Sequence, residues 1–495
     1  MTISTLRPEH KVNSKDHYEA ELADWIELEK AAVELIHLTG NLWFDKSVEL
    51  VLFRNQLVDR SASEILNLHQ YSKQVVKKPI NVLDTLLLVR ELSKLDLAPS
   101  RIDIGRLGAE WIAQRDEYGD ASEFVGDKLH SFIGKQKRVM VPKDVVLYGF
   151  GRIGRLLMRE LISQAGKGEQ LRLRAIVTRS NSDEDITKRA ELLRNDSVHG
   201  AFPGTVIEDF KNKALVVNGH TVHMIASNDM STIDYTSYGI HHALLIDNTG
   251  IVRDREGLGQ HLKAKGIRNV LLTAPGKGDV PNVVYGINEK TFDRENEHIF
   301  SAASCTTNAI VPVLAVIERT LGIERGHIET IHSYTNDQNL LDNYHKKYRR
   351  GRSAALNMVI TETGADKAVG KVLPQLAGKL TGNAVRVPTP DVSLAILNLT
   401  VKTETSKNGV NEILRDAALN GDLVEQIQYS ISNELVSTDL VGNSCAAIVD
   451  SPATIVSKDN KSLVLYVWYD NEYGYSRQVV RFSKYLADVI RLCYY

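Results

Sequence analysis

The stretch Val145-Val146-Leu147-Tyr148-Gly149-Phe150-Gly151-Arg152-Ile153-Gly154-Arg155-Leu156 decides the fold of the larger part of this chain. An apolar run, read as a buried parallel strand, leads into G-x-G-x-x-G, and a helical pattern follows in Leu156, Leu157, Leu161 and Ile162. That strand–turn–helix context separates a dinucleotide fingerprint from a chance glycine-rich turn. Gly149 permits the tight turn, Gly151 lets backbone approach a pyrophosphate, and Gly154 lets the helix lie close to the strand. Arg152 and Ile153 occupy the helix start, whose N–H groups face the phosphate charge.

A Rossmann unit should next supply a strand whose tip meets the adenosine ribose, about 20 residues on. The run from Leu171 to Val177 fits, and it ends in Thr178-Arg179-Ser180. No acidic residue stands there to accept from a ribose 2′-OH, whereas Arg179 suits a 2′-phosphate. NADP, or dual use of NADP and NAD, is therefore the expected cofactor. Asp247-Asn248-Thr249-Gly250 and Leu271-Leu272-Thr273-Ala274-Pro275 read as two further strand ends on the same sheet edge. Thr249 and Thr273 would then line the nicotinamide side of the cleft.

Downstream lies Ser304-Cys305-Thr306-Thr307-Asn308, with His332 placed 27 residues after the cysteine. A lone cysteine among small hydroxyl residues suits a nucleophile for an aldehyde, and an imidazole can draw off its proton. Arg386 precedes Val387-Pro388-Thr389-Pro390, where proline stiffness can aim a guanidinium at an anion. Lys346, Lys347, Arg349, Arg350 and Arg352 form a basic run between His332 and a Thr363-Gly364 turn, an arrangement that favours a phosphate site. Cys445 and Cys493 have no comparable surroundings and read as structural.

From Asp144 to the C-terminus the chain resembles phosphorylating glyceraldehyde-3-phosphate dehydrogenase. The resemblance rests on GFGRIGR (149–155), SCTTNA (304–309), HSYTNDQ (332–338), GKLTGNAVRVPTPDVS (378–393) and WYDNEYGYS (468–476), in the family's order and spacing. It implies that Cys305 forms a hemithioacetal with the aldehyde and that His332 is its base. Inorganic phosphate would then attack the thioester to release an acyl phosphate. Thr335, Asp337 and Arg386 resemble the group holding the substrate's C3 phosphate. Ser304, Thr306, Thr363 and Gly364 resemble the site of the attacking phosphate, with Arg350 nearby. Asn471 and Tyr475 would orient the nicotinamide carboxamide. The resemblance further implies a homotetramer acting on glyceraldehyde 3-phosphate, in glycolysis or gluconeogenesis. Tyr148 replaces the family's usual asparagine before the first fingerprint glycine. Two features of the NAD-using members are absent, the acid after the second strand and a leucine-proline pair where Asn343-Tyr344 stands, and Asn228 lies where an arginine is often found. Erythrose 4-phosphate or another phosphorylated aldehyde is the alternative substrate. A non-catalytic regulatory relative is the alternative of another class, disfavoured because Cys305 and His332 are both present.

The whole chain, 495 residues with 43% hydrophobic side chains, accommodates about three domains. The expected architecture is an all-α N-terminal domain over residues 1–140, an α/β Rossmann domain over 141–304 and an α+β catalytic domain over 305–473. A C-terminal helix over 474–495 is expected to pack back on the Rossmann domain. Sixty Lys plus Arg against 62 Asp plus Glu argue against a nucleic-acid binder. Three irregularly spaced cysteines suggest a reducing compartment. No apolar run approaches a membrane span and residues 1–8 contain no apolar signal core, so a cytoplasmic protein without membrane contact is expected.

In the first 140 residues, Trp25, Leu28, Ala32, Leu35 and Ile36 predict one helix, and Val48, Val51, Leu52 and Val58 a second. Ser61-Ala62-Ser63-Glu64 has capping-box spacing and opens a third. Val82 to Leu95 and Ile104 to Gln114 continue the series, and residues 134–143 read as a linker. His17, His37, His69 and His130 lack metal-ligand spacing, and no metal site is expected. This region is read as a packing extension, a self-association module or a regulatory surface.

Overall fold

The computed structural model describes residues 14–134 and 140–495. The chain divides into two compact units, Met140–Ile490 on the one hand and Met1–Val139 with Arg491–Tyr495 on the other. The expected absence of a signal core in residues 1–8 falls outside the described residues, as does half of the predicted linker.

The larger unit carries two sheets. In the first, Ile299–Ser301, Ile267–Leu272, Ala243–Asp247, Lys143–Tyr148, Leu171–Thr178 and His220–Ala226 lie parallel in that order. Ala214–Val217 and Val206–Asp209 extend it as antiparallel ribbons. Val145, Val146 and Leu147 are fully buried, because apolar clusters cover both faces of a parallel sheet. The Lys143–Tyr148 strand sits between Leu171–Thr178 and Ala243–Asp247, where the strand order reverses and a crevice opens at the carboxyl ends. The Tyr473–Leu486 helix packs against the fingerprint helix, Arg152–Ser163. Val479, Val480 and Phe482 join its core, and Arg477 pairs with Glu160 out of solvent.

The second sheet is mixed, with Ile323–Ser333, Leu380–Val387, Ser393–Val401 and Ser462–Tyr469 at its centre. Against it lies the Cys305–Thr320 helix, buried almost without interruption from Thr306 to Ile317. A helix apolar on every side belongs inside a core, so its first residue is held without play. The chain is thus built on a Rossmann-type domain and a mixed α+β domain, as expected.

The smaller unit is mostly helical: Ser14–Lys46, Ala62–Tyr71, Val82–Lys94, Ile104–Gln114 and Ala121–Lys128. Ser61 and Glu64 make the reciprocal capping box. Three corrections follow. The residues read as a second helix form a strand, Val48–Leu52, so the unit is not all-α. It pairs with Asn55–Gln56 and Ser100–Asp103, and Leu492–Tyr494 pairs in turn with the far edge of Ser100–Asp103. Every residue of that strand is buried, and the one charge, Glu49, faces Arg101 at 3.4 Å and Arg491 at 3.5 Å. Second, the C-terminal helix stops at Leu486. Asp488 then takes a left-handed conformation (φ 55°), and Leu492–Tyr494 run parallel to Ser100–Asp103. Third, Trp25, which its spacing puts on the apolar stripe of the first helix, is 47% exposed. His69 is a core histidine, with Nε2 3.0 Å from Thr85 Oγ1 and Nδ1 2.8 Å from Ile65 O. No described helix is long and apolar enough to cross a membrane.

Candidate active site

Cys305 owes its position to a strained turn. After the Ile299–Ser301 strand, Ala303 adopts φ 54°, a left-handed conformation that a residue with a Cβ keeps only when its surroundings hold it. The hold is visible: Tyr475, itself buried, donates its hydroxyl to Ala303 O at 3.0 Å, and Asn308 Nδ2 donates to Ala302 O at 2.8 Å. Ser304 then caps the helix, its Oγ accepting from Thr307 N at 3.1 Å, and Cys305 is the first helical residue.

His332 lies at the end of the Ile323–Ser333 strand, and sheet register sets Arg386 directly beside it. Cys305 Sγ stands 3.6 Å from His332 Nε2. On the far side of the ring, Nδ1 lies 2.8 Å from Ser333 O, and Arg386 Nη1 reaches the same carbonyl at 2.8 Å and Nδ1 at 2.9 Å. When Nδ1–H is donated to Ser333 O, the Nε2 lone pair faces the thiol; when Nδ1 instead accepts from Arg386, Nε2–H does. Burial first, then the Arg386 charge, push the imidazole down to about 3. Burial also pushes the Cys305 thiol up, with Arg386 pulling it back. Both groups are therefore neutral at neutral pH, a thiol beside an imidazole rather than a preformed ion pair.

A second guanidinium stands near the same point. Arg350 Nε donates to Thr361 Oγ1 at 3.0 Å, and its Nη1 pairs with Asp337. Its charge bears on both Arg386 and His332. Two guanidiniums this near each other repel, so an anion between them is favoured. Thr335 closes the local turn through Gln338 N, 2.9 Å from its carbonyl. Gly364 caps the Ala365–Val372 helix, and Thr363 Oγ1 accepts from Ala365 N at 3.2 Å. Thr306 Oγ1 lies 3.0 Å from the hydroxyl of Tyr469, whose ring meets His332 edge-on at 6.0 Å. Sequence reasoning missed Tyr469 and Thr361. Tyr469 had a signal, since strand alternation puts it on the buried face of Ser462–Tyr469.

At the cofactor end, a Cβ on Gly154 would come within 2.6 Å of Gly149 O, and one on Gly149 within 2.9 Å of Thr249 Cγ2. A Cβ on Gly151 would meet nothing within 4 Å, so the helix start faces open space. This geometry fits a pyrophosphate. The Arg152 guanidinium is engaged with Asp196 and Glu472, so what it offers a phosphate is its backbone N–H. Thr249 is tied to Asp247 Oδ1 at 2.7 Å, and Thr273 Oγ1 to Asp247 O at 3.1 Å. Thr178 Oγ1 donates to Ser180 O at 2.8 Å, shaping the tip on which Arg179 is exposed and makes no described ion pair. Asn471 Oδ1 accepts from Ser333 Oγ at 2.9 Å and Ser393 Oγ at 2.7 Å, which turns its amide donor outward. The Tyr475 hydroxyl serves the turn before Cys305 and is not free to meet a carboxamide.

Family models described as "Glyceraldehyde 3-phosphate dehydrogenase, NAD binding domain" and "Glyceraldehyde 3-phosphate dehydrogenase, C-terminal domain" match residues 143–255 and 304–471. A glyceraldehyde-3-phosphate dehydrogenase-like protein of Pseudomonas aeruginosa (strain UCBPP-PA14) is 51% identical over 458 residues, 92% of this chain and 98% of the relative. That span takes in much of the N-terminal region as well. The glyceraldehyde-3-phosphate dehydrogenase of Priestia megaterium (strain DSM 319 / IMG 1521) is 41% identical over 68% of this chain and 96% of its own length. Glyceraldehyde-3-phosphate dehydrogenase 1 of Bacillus subtilis (strain 168) is 40% identical over 69% and 98%. With the site geometry and these matches together, the chain belongs to the glyceraldehyde-3-phosphate dehydrogenase family.

Proposed function

We propose that this protein oxidises glyceraldehyde 3-phosphate with inorganic phosphate to 1,3-bisphosphoglycerate, reversibly, using NADP or NAD. The observation that carries this reading is Cys305 Sγ standing 3.6 Å from His332 Nε2, with Arg386 behind the ring. His332 takes the thiol proton, and the thiolate adds to the aldehyde carbon to give a hemithioacetal. The proton passes to the new oxygen, and His332 later removes it as the thioester forms. The nicotinamide, when bound, supplies the acceptor for the hydride leaving that carbon. Phosphate then attacks the thioester, and Cys305 leaves as thiolate with the acyl phosphate as product. Arg386, Thr335 and Asp337 hold the substrate phosphate; Ser304, Thr306, Thr363, Gly364 and Arg350 serve the attacking one. Asn471 presents its amide to the nicotinamide, and the 149–154 loop with Thr178, Thr249 and Thr273 holds the rest of the cofactor.

An exposed Arg179 at the ribose position, with no acid beside it, favours NADP or dual use. Leu340, Leu341, Tyr344, Tyr348, Leu356 and Met358 are 73–90% exposed within one short segment, which supports self-association as a homotetramer. None of Cys305, Cys445 and Cys493 forms a disulfide, in keeping with a reducing cytoplasm. Residues 141–304 and 305–473 are taken as the cofactor-binding and catalytic domains. The test is steady-state oxidation of glyceraldehyde 3-phosphate with phosphate, NADP against NAD. Turnover preferring NADP supports both parts of the reading, and turnover preferring NAD retires Arg179 as a 2′-phosphate ligand. Absence of turnover with either refutes the substrate assignment.

A further inference from the structure

Side chains far apart in sequence meet beside the turn that carries Asn471. His199, Asp391 and Asp470 each bring a ligand atom within 4.8 Å of the others. His199 Nε2 lies 3.5 Å from Asp391 Oδ2 and 3.2 Å from Glu472 Oε2. Asp391 and Asp470 are 3% and 2% exposed. Asp470 accepts from the N–H groups of Gly442, Glu472 and Tyr473 at 2.6–2.9 Å. Asp391 is different: neither of its oxygens meets a well-aligned hydrogen-bond donor, its polar neighbours including Val392 N–H and the Asp470 carboxyl, and His199 Nδ1 has no hydrogen-bond partner. A buried carboxylate left in this way is costly unless a proton or a cation joins it.

The surrounding arginines do not supply one. Arg152 is bound by Glu472 and Asp196, and Arg155 lies 3.7 Å from Asp196. These two cations match those two anions. Arg159 gives its N–H groups to the carbonyls of Leu193 and Gly200. Asp391 and Asp470 remain, two buried carboxylates with oxygens within 4.8 Å of each other. A cavity of about 250 Å³ lined by Gly442 and Tyr473 reaches His199.

We propose that His199, Asp391 and Asp470 form a divalent-cation site, with Glu472 at its margin. One imidazole nitrogen with carboxylate oxygens suits Mn2+ or Zn2+ better than Ca2+ or Mg2+. The site is a brace: Asp470 precedes Asn471, and Asp391 lies two residues before Ser393, whose hydroxyl holds Asn471. A bound cation ties both supports of that amide together.

The test uses full-length Cys305→Ser protein, stripped with chelator, so that the thiol–imidazole pair takes no metal. Mn2+ is titrated alone and followed by its EPR signal and by the thermal midpoint. One saturable Mn2+ per protomer is expected, with a raised midpoint. Both should be lost in Asp391→Asn, an isosteric change, and in His199→Asn, with far-UV circular dichroism unchanged for at least one of them. No saturation up to about 1 mM Mn2+ overturns the site. So does binding that survives both substitutions. A midpoint that rises on acidification and ignores Mn2+ also overturns it, assigning Asp391 and Asp470 as a proton-sharing pair.

Discussion

The neutral state of His332 makes a prediction that does not depend on activity. In the unfolded chain this imidazole titrates near its ordinary 6.5, whereas in the folded protein burial and Arg386 hold it down to about 3. Between those values the unfolded state binds a proton that the folded state refuses. Stability therefore rises with pH across that window and is lost as pH falls below 6.5. At pH 5 the loss from this residue is about 2 kcal/mol, because each pH unit below 6.5 is worth about 1.4 kcal/mol. His332→Asn has nothing to protonate. Its stability deficit relative to the unmodified protein should shrink by about 2 kcal/mol between pH 7.5 and pH 5. Hydrogen exchange of the Ile323–Ser333 strand, compared between the two proteins at each pH, reads the dehydrogenase unit without interference from the other. A deficit equal at both pH values would show that His332 protonates normally in the folded state. The neutral thiol–imidazole description would then be wrong.

The same substitution should slow oxidation by roughly 10²–10⁴-fold at neutral pH if His332 is the base, while Cys305→Ser abolishes it and keeps cofactor binding; near-full activity in His332→Asn would sink the base assignment. Arg179→Asp should raise the NAD-to-NADP ratio of kcat/KM, and an unchanged ratio would mean the guanidinium does not read the 2′ position. Gly154→Ala forces the helix off Gly149 O and should cost about 1–3 kcal/mol together with cofactor affinity, measured by thermal shift and by titration of NADP. Deleting residues 491–495 removes a whole strand, the Arg491–Trp43 contact at 4.5 Å and the Tyr494–Phe132 ring pair at 6.0 Å. The smaller unit should lose about 2–4 kcal/mol, seen as faster proteolysis within residues 14–134, and equal protease resistance would refute the strand's role.

What could be read in the sequence was local, and what could not was register and long-range pairing. GFGRIGR announced itself because strand, glycines and helix are contiguous, and the capping box at Ser61 for the same reason. Val48–Leu52 was ambiguous: V-E-L-V-L satisfies a helical stripe at 48, 51 and 52 as readily as a buried strand, and only the Ser100–Asp103 neighbour settles it. Leu492–Tyr494 was illegible as a strand, since its partner lies near the other end of the chain. At the site, the residue types at Cys305, His332 and Arg386 were visible in the motifs. That Arg386 stands beside the imidazole follows from the pairing of two strands whose register no spacing encodes. Tyr475 was visible as a residue, yet its hydroxyl faces Ala303 O rather than the cofactor side. His199, Asp391 and Asp470 share no motif, so their meeting emerges only from the folded chain.

The central claim is that Cys305 carries the acyl group. The most direct test mixes the protein with glyceraldehyde 3-phosphate and NADP in the absence of phosphate, then quenches in acid and reads peptide masses. The account predicts a 3-phosphoglyceryl thioester on the Cys305 peptide, absent from Cys305→Ser and discharged when phosphate is added before the quench. Turnover in the presence of phosphate with no adduct on Cys305, or an adduct that survives phosphate, would contradict it.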